Sequence, residues 1–368
     1  MQEPANSEWS VIMSLLPPGW EAAARTYKAF QRARYTLDPG SLLRLLLFHA
    51  VQDGGLRETV AQARASGIAT MSQVALLKRL RTSEGWLAWL GAELCRRLRE
   101  APHLPEGLRP RVVDSTTVQG PAATSTEWRV HYALDLMTLN CDWYELTDAS
   151  GGELLERTPV ERGDVLLADR NYLRPHGVRH VVDAGAHLLV RLRWTHSAMQ
   201  DDRGRAFRAL EHAKTLRVGK VGVWPVRLLV PEGAPIAGRV VVTKLPAPLA
   251  ERAVRRAKRI SNKQGKKADP RSLRAAQFIM LFTTLPETQL AARDVLELYR
   301  YRWQIELAFK RLKQLLRLGR LPHQDPRSAR SWILAKLVVA LLLETMYRNA
   351  RAFSPWGYHF DDLAPLAA

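Results

Sequence analysis

The run Asp164-Val-Leu-Leu-Ala-Asp169 places four apolar residues in a row with an acid at each end. A strand with no polar face must be covered on both sides, and a layered α/β architecture supplies that cover. The neighbouring segments agree. Arg111–Val118 is β-branched and reads as a strand carrying Asp114, and Trp128–Leu139 and Asp142–Thr147 follow closely enough to make an antiparallel meander. Glu153–Arg157 suits one helical turn, Val178–Asp183 a helix and His187–Arg193 a further strand. Three strands, helix, strand, helix, strand is the order of a mixed α/β sheet. Two of its strands carry an acid, Asp114 and Asp169.

On either side the pattern changes. Residues 20–100 read as helices: a leucine-dense segment follows Pro39-Gly40, Leu56–Ala65 has helical spacing, and Ser72 is placed to cap a helix running to Arg81. Helix, Ser66-Gly67 turn and basic helix (Lys78, Arg79, Arg81) is the order of a helix-turn-helix DNA reader. Three prolines between Pro102 and Pro110 suggest a linker. Beyond Trp194, Arg217–Val230 and Arg239–Thr243 alternate as strands, and Glu251–Arg274 then holds ten Lys/Arg against two acids, a run suited to phosphate contact. Phe278–Leu285 returns as a strand, Glu287–Leu318 reads as one long helix, and Trp332–Tyr347 as an apolar helix for the core or a dimer contact. The expected divisions are a helical DNA-binding domain at 1–104, an α/β core at 105–194 and 276–320 interrupted by a β-rich insertion at 195–275, and a helical region at 321–368.

Charge narrows the partners. The 368 residues hold 55 Lys and Arg against 36 Asp and Glu, a formal excess of 55 − 36 = +19, which favours a polyanion, nucleic acid first. The 46% hydrophobic and 25% charged content is that of an ordinary globular protein. Two cysteines, Cys95 and Cys141, exclude a disulfide scaffold and a cysteine zinc finger and fit a reducing cytosol. No signal peptide is visible, and the apolar stretch Ile333–Leu343 is interrupted by Lys336, so it reads as a buried helix and not a membrane span. The expected location is the cytoplasm, at the nucleoid.

The long helix holds the most chemistry. Tyr299, Arg302, Glu306 and Lys313 fall in one stripe about 60° wide at about 100° per residue, beside the apolar face of Leu298, Ile305, Phe309, Leu312 and Leu316. Polar residues at the margin of a buried face line a cleft. Phosphodiester cleavage and joining need an activated oxygen nucleophile and stabilised charge on phosphorus, which two divalent ions held by a few carboxylates supply. Mg²⁺ prefers oxygen ligands and keeps several waters, so histidine and cysteine are not needed. Arginine and lysine beside the acid suit flanking phosphates. Asp114 and Asp169 are costly in strands unless metal-bound or paired, Arg111 and Arg170 being the nearest candidate partners.

Tyr299-x2-Arg302-x3-Glu306-x6-Lys313 resembles the signature of DDE transposases of the Insertion Sequence 4 family. Val113-Asp114-Ser115-Thr116 and Ala168-Asp169-Arg170-Asn171-Tyr172 resemble that family's two Asp motifs, with Asn171 where glycine is usual. The resemblance spans about residues 105–320. It implies an RNase H-like core, a mixed five-stranded sheet with helices, carrying a β-rich insertion. It further implies that Asp114, Asp169 and Glu306 hold two Mg²⁺ ions, with Mn²⁺ able to substitute. Arg302, Lys310, Lys313, Arg170 and Tyr172 would contact DNA, and Tyr299 a phosphate or distorted terminal nucleotide. The implied partners are double-stranded DNA, as terminal inverted repeats and target, and a second copy of the chain in a synaptic homodimer.

Other residues have plainer readings. His176 and His180, four apart, suit a helix surface, Cys141 a buried position, and Trp303 packing over the cleft. Some members of the family this chain resembles hold a flipped base with a tryptophan just before the last strand; Phe278-Ile279 stands there in this chain, so Phe278 or Trp224 is the expected substitute. The tolerance of asparagine for left-handed backbone accounts for Asn171. The alternative functions are a non-catalytic DNA-binding protein derived from such an enzyme, or an RNase H-like nuclease.

Overall fold

The computed structural model describes residues 4–32, 38–52, 54–98, 107–120, 126–195, 198–263, 265–319, 321–322 and 325–352. Most of the proline-marked linker and the end of the C-terminal region, 353–368, lie outside the described residues. Six helices come first: α1 (Pro4–Leu15), α2 (Trp20–Thr26), α3 (Pro39–Gln52), α4 (Leu56–Ala65), α5 (Gln73–Thr82) and α6 (Glu84–Leu98). Ser72 caps α5, its Oγ accepting from Ala75 N at 3.2 Å. Then come β1 (Arg109–Val118), β2 (Trp128–Asp135), β3 (Cys141–Asp148), β4 (Asp164–Ala168), α7 (Pro175–Asp183), β5 (His187–Arg191), β6 (Met199–Gln200), α8 (Ala209–Ala213), β7 (Val221–Leu228) and β8 (Ile236–Lys244). The chain continues through α9 (Ala247–Lys263), α10 (Pro270–Ala275), β9 (Phe278–Thr283), α11 (Ala292–Arg300), α12 (Gln304–Gln314) and α13 (Pro326–Ala352).

The strands form a single nine-stranded sheet in the order β3-β2-β1-β4-β5-β9-β8-β7-β6. This differs from a five-stranded sheet with a separate β insertion. The strands of the 195–275 segment continue the same sheet, because β9 pairs with β5 on one side and β8 on the other. Within the sheet β1, β4 and β5 are parallel neighbours, and β2–β3 form the antiparallel meander.

Both faces are covered, as the apolar strand requires. Val112, Leu167, Leu189 and Val241 belong to one hydrophobic cluster with α3, α5, α6, α12 and α13, whereas Val113, Leu166, Leu188 and Val240 belong to the opposite cluster with α7 and α8. Burying both faces forces the strand charges into pairs. Arg111 donates to both carboxylate oxygens of Asp142 at 2.6 and 2.9 Å and to Asp164 at 2.7 Å, and Arg109 takes the other Asp164 oxygen at 2.8 Å. No helix among the described residues is long and apolar enough to cross a membrane.

The expected helix Glu287–Leu318 is two helices. A 3-10 turn at Tyr301–Trp303 separates α11 from α12. No proline or glycine lies at the break, and nothing local in the structure explains it.

Candidate active site

The parallel register sets two acids side by side. Val112 of β1 pairs with Leu167 of β4; two residues further along each strand come Asp114 and Asp169. Asp169 lies just past β4, where its extended backbone starts the 3-10 turn Arg170–Tyr172. Strand parity decides the partner of Asp114. Arg111 is three residues away and so points to the other face, where Asp142 and Asp164 hold it. Arg302 meets Asp114 instead, Nη1 to Oδ2 at 3.6 Å, and donates from Nη2 to Glu306 Oε1 at 2.5 Å. One guanidinium thus links the acid of β1 to the acid of α12.

Burial pushes the Asp114 carboxyl up to about 6, against the Ser115 N–H bonded to it and the charge of Arg302; Glu153 and Asp169 add to the rise. Among the described residues, no three His, Cys, Asp or Glu side chains stand close enough together to hold a metal ion. Glu306 is turned to Arg302, with its side chain 61% exposed.

Tyr299 anchors the helix. Its hydroxyl donates to Ala168 O at 3.1 Å, fastening α11 to the end of β4 one residue before Asp169. Burial raises the phenol to about 12, with Arg302 and Arg191 pulling the other way. Lys310, Lys313 and Arg170 are exposed. Tyr172 is not at the surface: it is 3% exposed and packs in the second hydrophobic cluster beneath the site, which removes it from the DNA contacts. The two aromatics considered for a flipped base are also engaged. Phe278 is buried with Lys244 over its ring, and Trp224 lies against Phe207 and His212 at centroid separations of 6.2 and 5.5 Å. Trp303, expected to pack over the cleft, is 49% exposed.

Sequence reasoning passed over Glu153. Its Oε1 accepts from Ser115 Oγ at 2.9 Å and Arg129 Nη1 at 3.0 Å, and its Oε2 from Asn171 Nδ2 at 3.3 Å. Asn171 Oδ1 in turn accepts from Arg193 Nη2 at 2.6 Å. This network joins the residues after Asp114 and Asp169 and keeps their strand ends together. Asn171 is therefore a bridge and not a left-handed residue; its φ is not among the positive values. Glu153 carries no motif and lies in a loop, so only spatial proximity reveals it.

The basic helix expected to read DNA is largely occupied. Arg79 donates to Ala29 O and Arg32 O at 3.2 and 3.3 Å, and Arg81 to both oxygens of Asp325 at 3.2 and 2.8 Å. These bonds fasten α5 to its neighbours.

Known proteins share this chain's pattern from end to end. The family model described as "Transposase DDE domain" matches residues 105–342. A putative transposase InsL for insertion sequence element IS186A, from Escherichia coli strain K12, is 33% identical over 358 residues, 95% of this chain and 97% of the relative. The transposase for insertion sequence element IS421 of Escherichia coli is 34% identical over 361 residues, 95% of this chain and 97% of the relative. With the family model covering the acidic edge and relatives matching nearly the whole length, the chain belongs to the DDE transposases of bacterial insertion sequences.

Proposed function

We propose that this transposase is of the Insertion Sequence 4 type and moves its element by cutting at the terminal inverted repeats and joining the freed ends to target DNA. The observation that supports this reading is the level placement of Asp114 in β1 and Asp169 just past the end of the neighbouring parallel strand β4, with Glu306 linked to Asp114 through Arg302. The strand order β3-β2-β1-β4-β5 with three parallel members supports an RNase H-like core. The family implies divalent metal dependence, and the donor chemistry fits such an ion: all three donors are carboxylates, and Asp114 and Glu306 both lie against the Arg302 guanidinium, a cation standing at the acids. Asp114, Asp169 and Glu306 would hold two Mg²⁺ ions. When bound, the ions activate the attacking oxygen and stabilise charge on the phosphate and leaving oxygen.

The remaining work falls to the chain. Arg302 presently bridges Asp114 and Glu306, and releasing them frees its planar fork for a phosphate. Exposed Lys310, Lys313 and Arg170 neutralise flanking phosphates, while Tyr299 holds α11 against β4. The N-terminal helices bind the repeats, and two copies of the chain hold two ends. Glu306→Ala is expected to abolish Mg²⁺-dependent nicking of linear DNA carrying an element end while leaving end binding intact. Nicking by that variant at the wild-type rate would falsify the carboxylate assignment.

A further inference from the structure

The helix α9 buries none of its 17 residues, although it lies inside a well-packed sheet protein. A helix that contributes nothing to a core is held for what it presents. On its wheel Arg252, Arg255, Arg256, Arg259 and Lys263 fall within about 100° of one another, over roughly 16 Å of helix length. Alanines 253 and 257 and Val254 lie on the other side and are half-buried, where α10 packs. Among the described residues one of these five cations has an acidic partner, Arg255 with Glu251 at 3.5 Å, and both side chains of that pair are exposed. Four of the five cations therefore have no acidic partner among the described residues, and the stripe faces solvent.

Topology sets where the stripe stands. Because β1, β4 and β5 are parallel and β9 runs antiparallel to both β5 and β8, the C-terminal ends of β1, β4, β5 and β8 share one edge of the sheet with the start of β9. α9 begins three residues after β8 ends at Lys244, and α10 ends three residues before β9 starts at Phe278. The basic arm thus leaves from and returns to the edge that carries Asp114 and Asp169. It is braced there by Arg271 of α10, whose guanidinium lies 6.0 Å from the ring centroid of Trp194, just beyond β5.

We propose that α9 is a sequence-independent clamp for duplex DNA, gripping the backbone of a second stretch of duplex beside the acidic edge, apart from the element end held by the site. This rests on reading that edge as a DNA-processing centre, but the two fail separately, because clamp binding is measured without metal and without cleavage. Five cations along one exposed face suit successive phosphates, and phosphate contacts carry no sequence information. The full chain carrying Arg252→Gln, Arg255→Gln, Arg256→Gln, Arg259→Gln and Lys263→Gln keeps residues of similar helix propensity. Its affinity for a 30-base-pair duplex without element sequence should fall at least tenfold at 0.1 M salt. The salt slope of log K should flatten by roughly 3 to 4, at ~0.9 for each phosphate no longer neutralised. A second measurement does not depend on that variant: Arg256→Cys, labelled with a photoactivatable crosslinker, should crosslink to the same duplex, since Cys95 and Cys141 are buried and leave the new thiol as the accessible target. Unchanged affinity and slope, absence of the crosslink, or a loss seen only with single-stranded RNA or phosphatidylglycerol vesicles would each overturn the proposal.

Discussion

Single residues in this protein divide by what surrounds their charge. Arg111 is buried with its bidentate partner Asp142, so removing it strands a carboxylate in the sheet. Arg111→Met should lower stability by about 3–5 kcal/mol, read as a fall in the urea midpoint. Arg81→Met, which breaks the exposed pair with Asp325, should leave the urea midpoint close to that of the unaltered protein. Glu153 tests the network behind the acids. Glu153→Ala releases Ser115, Arg129 and Asn171 together and should slow single-turnover nicking at least about tenfold with end binding retained. Glu153→Gln, which keeps an acceptor oxygen, should recover most of that rate. Equal rates for the two variants would contradict the positioning role.

At the scale of elements, two contacts hold helices to the sheet by polar groups. Tyr299→Phe deletes the bond from α11 to Ala168 of β4; the expected stability loss is about 1 kcal/mol, with a larger fractional loss in nicking because α12 follows α11 and carries Glu306. The second contact is between α13 and β3. Glu344 accepts from the Cys141 backbone N–H at 3.1 Å, and burial raises its carboxyl from 4.5 to about 7. Between those pH values the folded chain keeps a proton that the unfolded chain has released, so stability falls as pH rises through the window and the penalty vanishes below it. Glu344→Gln should remove that slope and be the more stable protein at pH 8, by on the order of 3 kcal/mol. Parallel urea midpoints at pH 4.5 and pH 8 would reveal the difference, and identical pH profiles for the two proteins would exclude it.

For the molecule as a whole, the two ends of the chain build one helical layer. α13 packs on α3, α5 and α6, Ser331 Oγ donates to Leu80 O at 2.6 Å, and Trp332 and Ile333 share a core with Trp86 and Leu90. A chain ending before Pro326 should therefore expose the apolar faces of α3 and α6. Limited proteolysis is expected to cut that chain within 38–98 under conditions in which the full chain resists, and equal resistance would show that the N-terminal helices stand without α13.

Local pattern alone determined much of this protein. The apolar run at 164–169 required cover on both faces, the β-branched residues at 111–118 made a strand, and the unbalanced lysines and arginines announced a polyanion. Those are properties of neighbouring residues and survive without knowing the fold. Only the tertiary structure decided that Arg111 serves Asp142 and leaves Asp114 to Arg302, that Glu153 stands behind both aspartates, that Tyr172 and Phe278 are buried, and that the strands after residue 195 extend the first sheet. Each of these depends on pairing and facing across tens or hundreds of residues, which periodicity along the chain does not encode. The break between α11 and α12 belongs with them, since no residue there marks it.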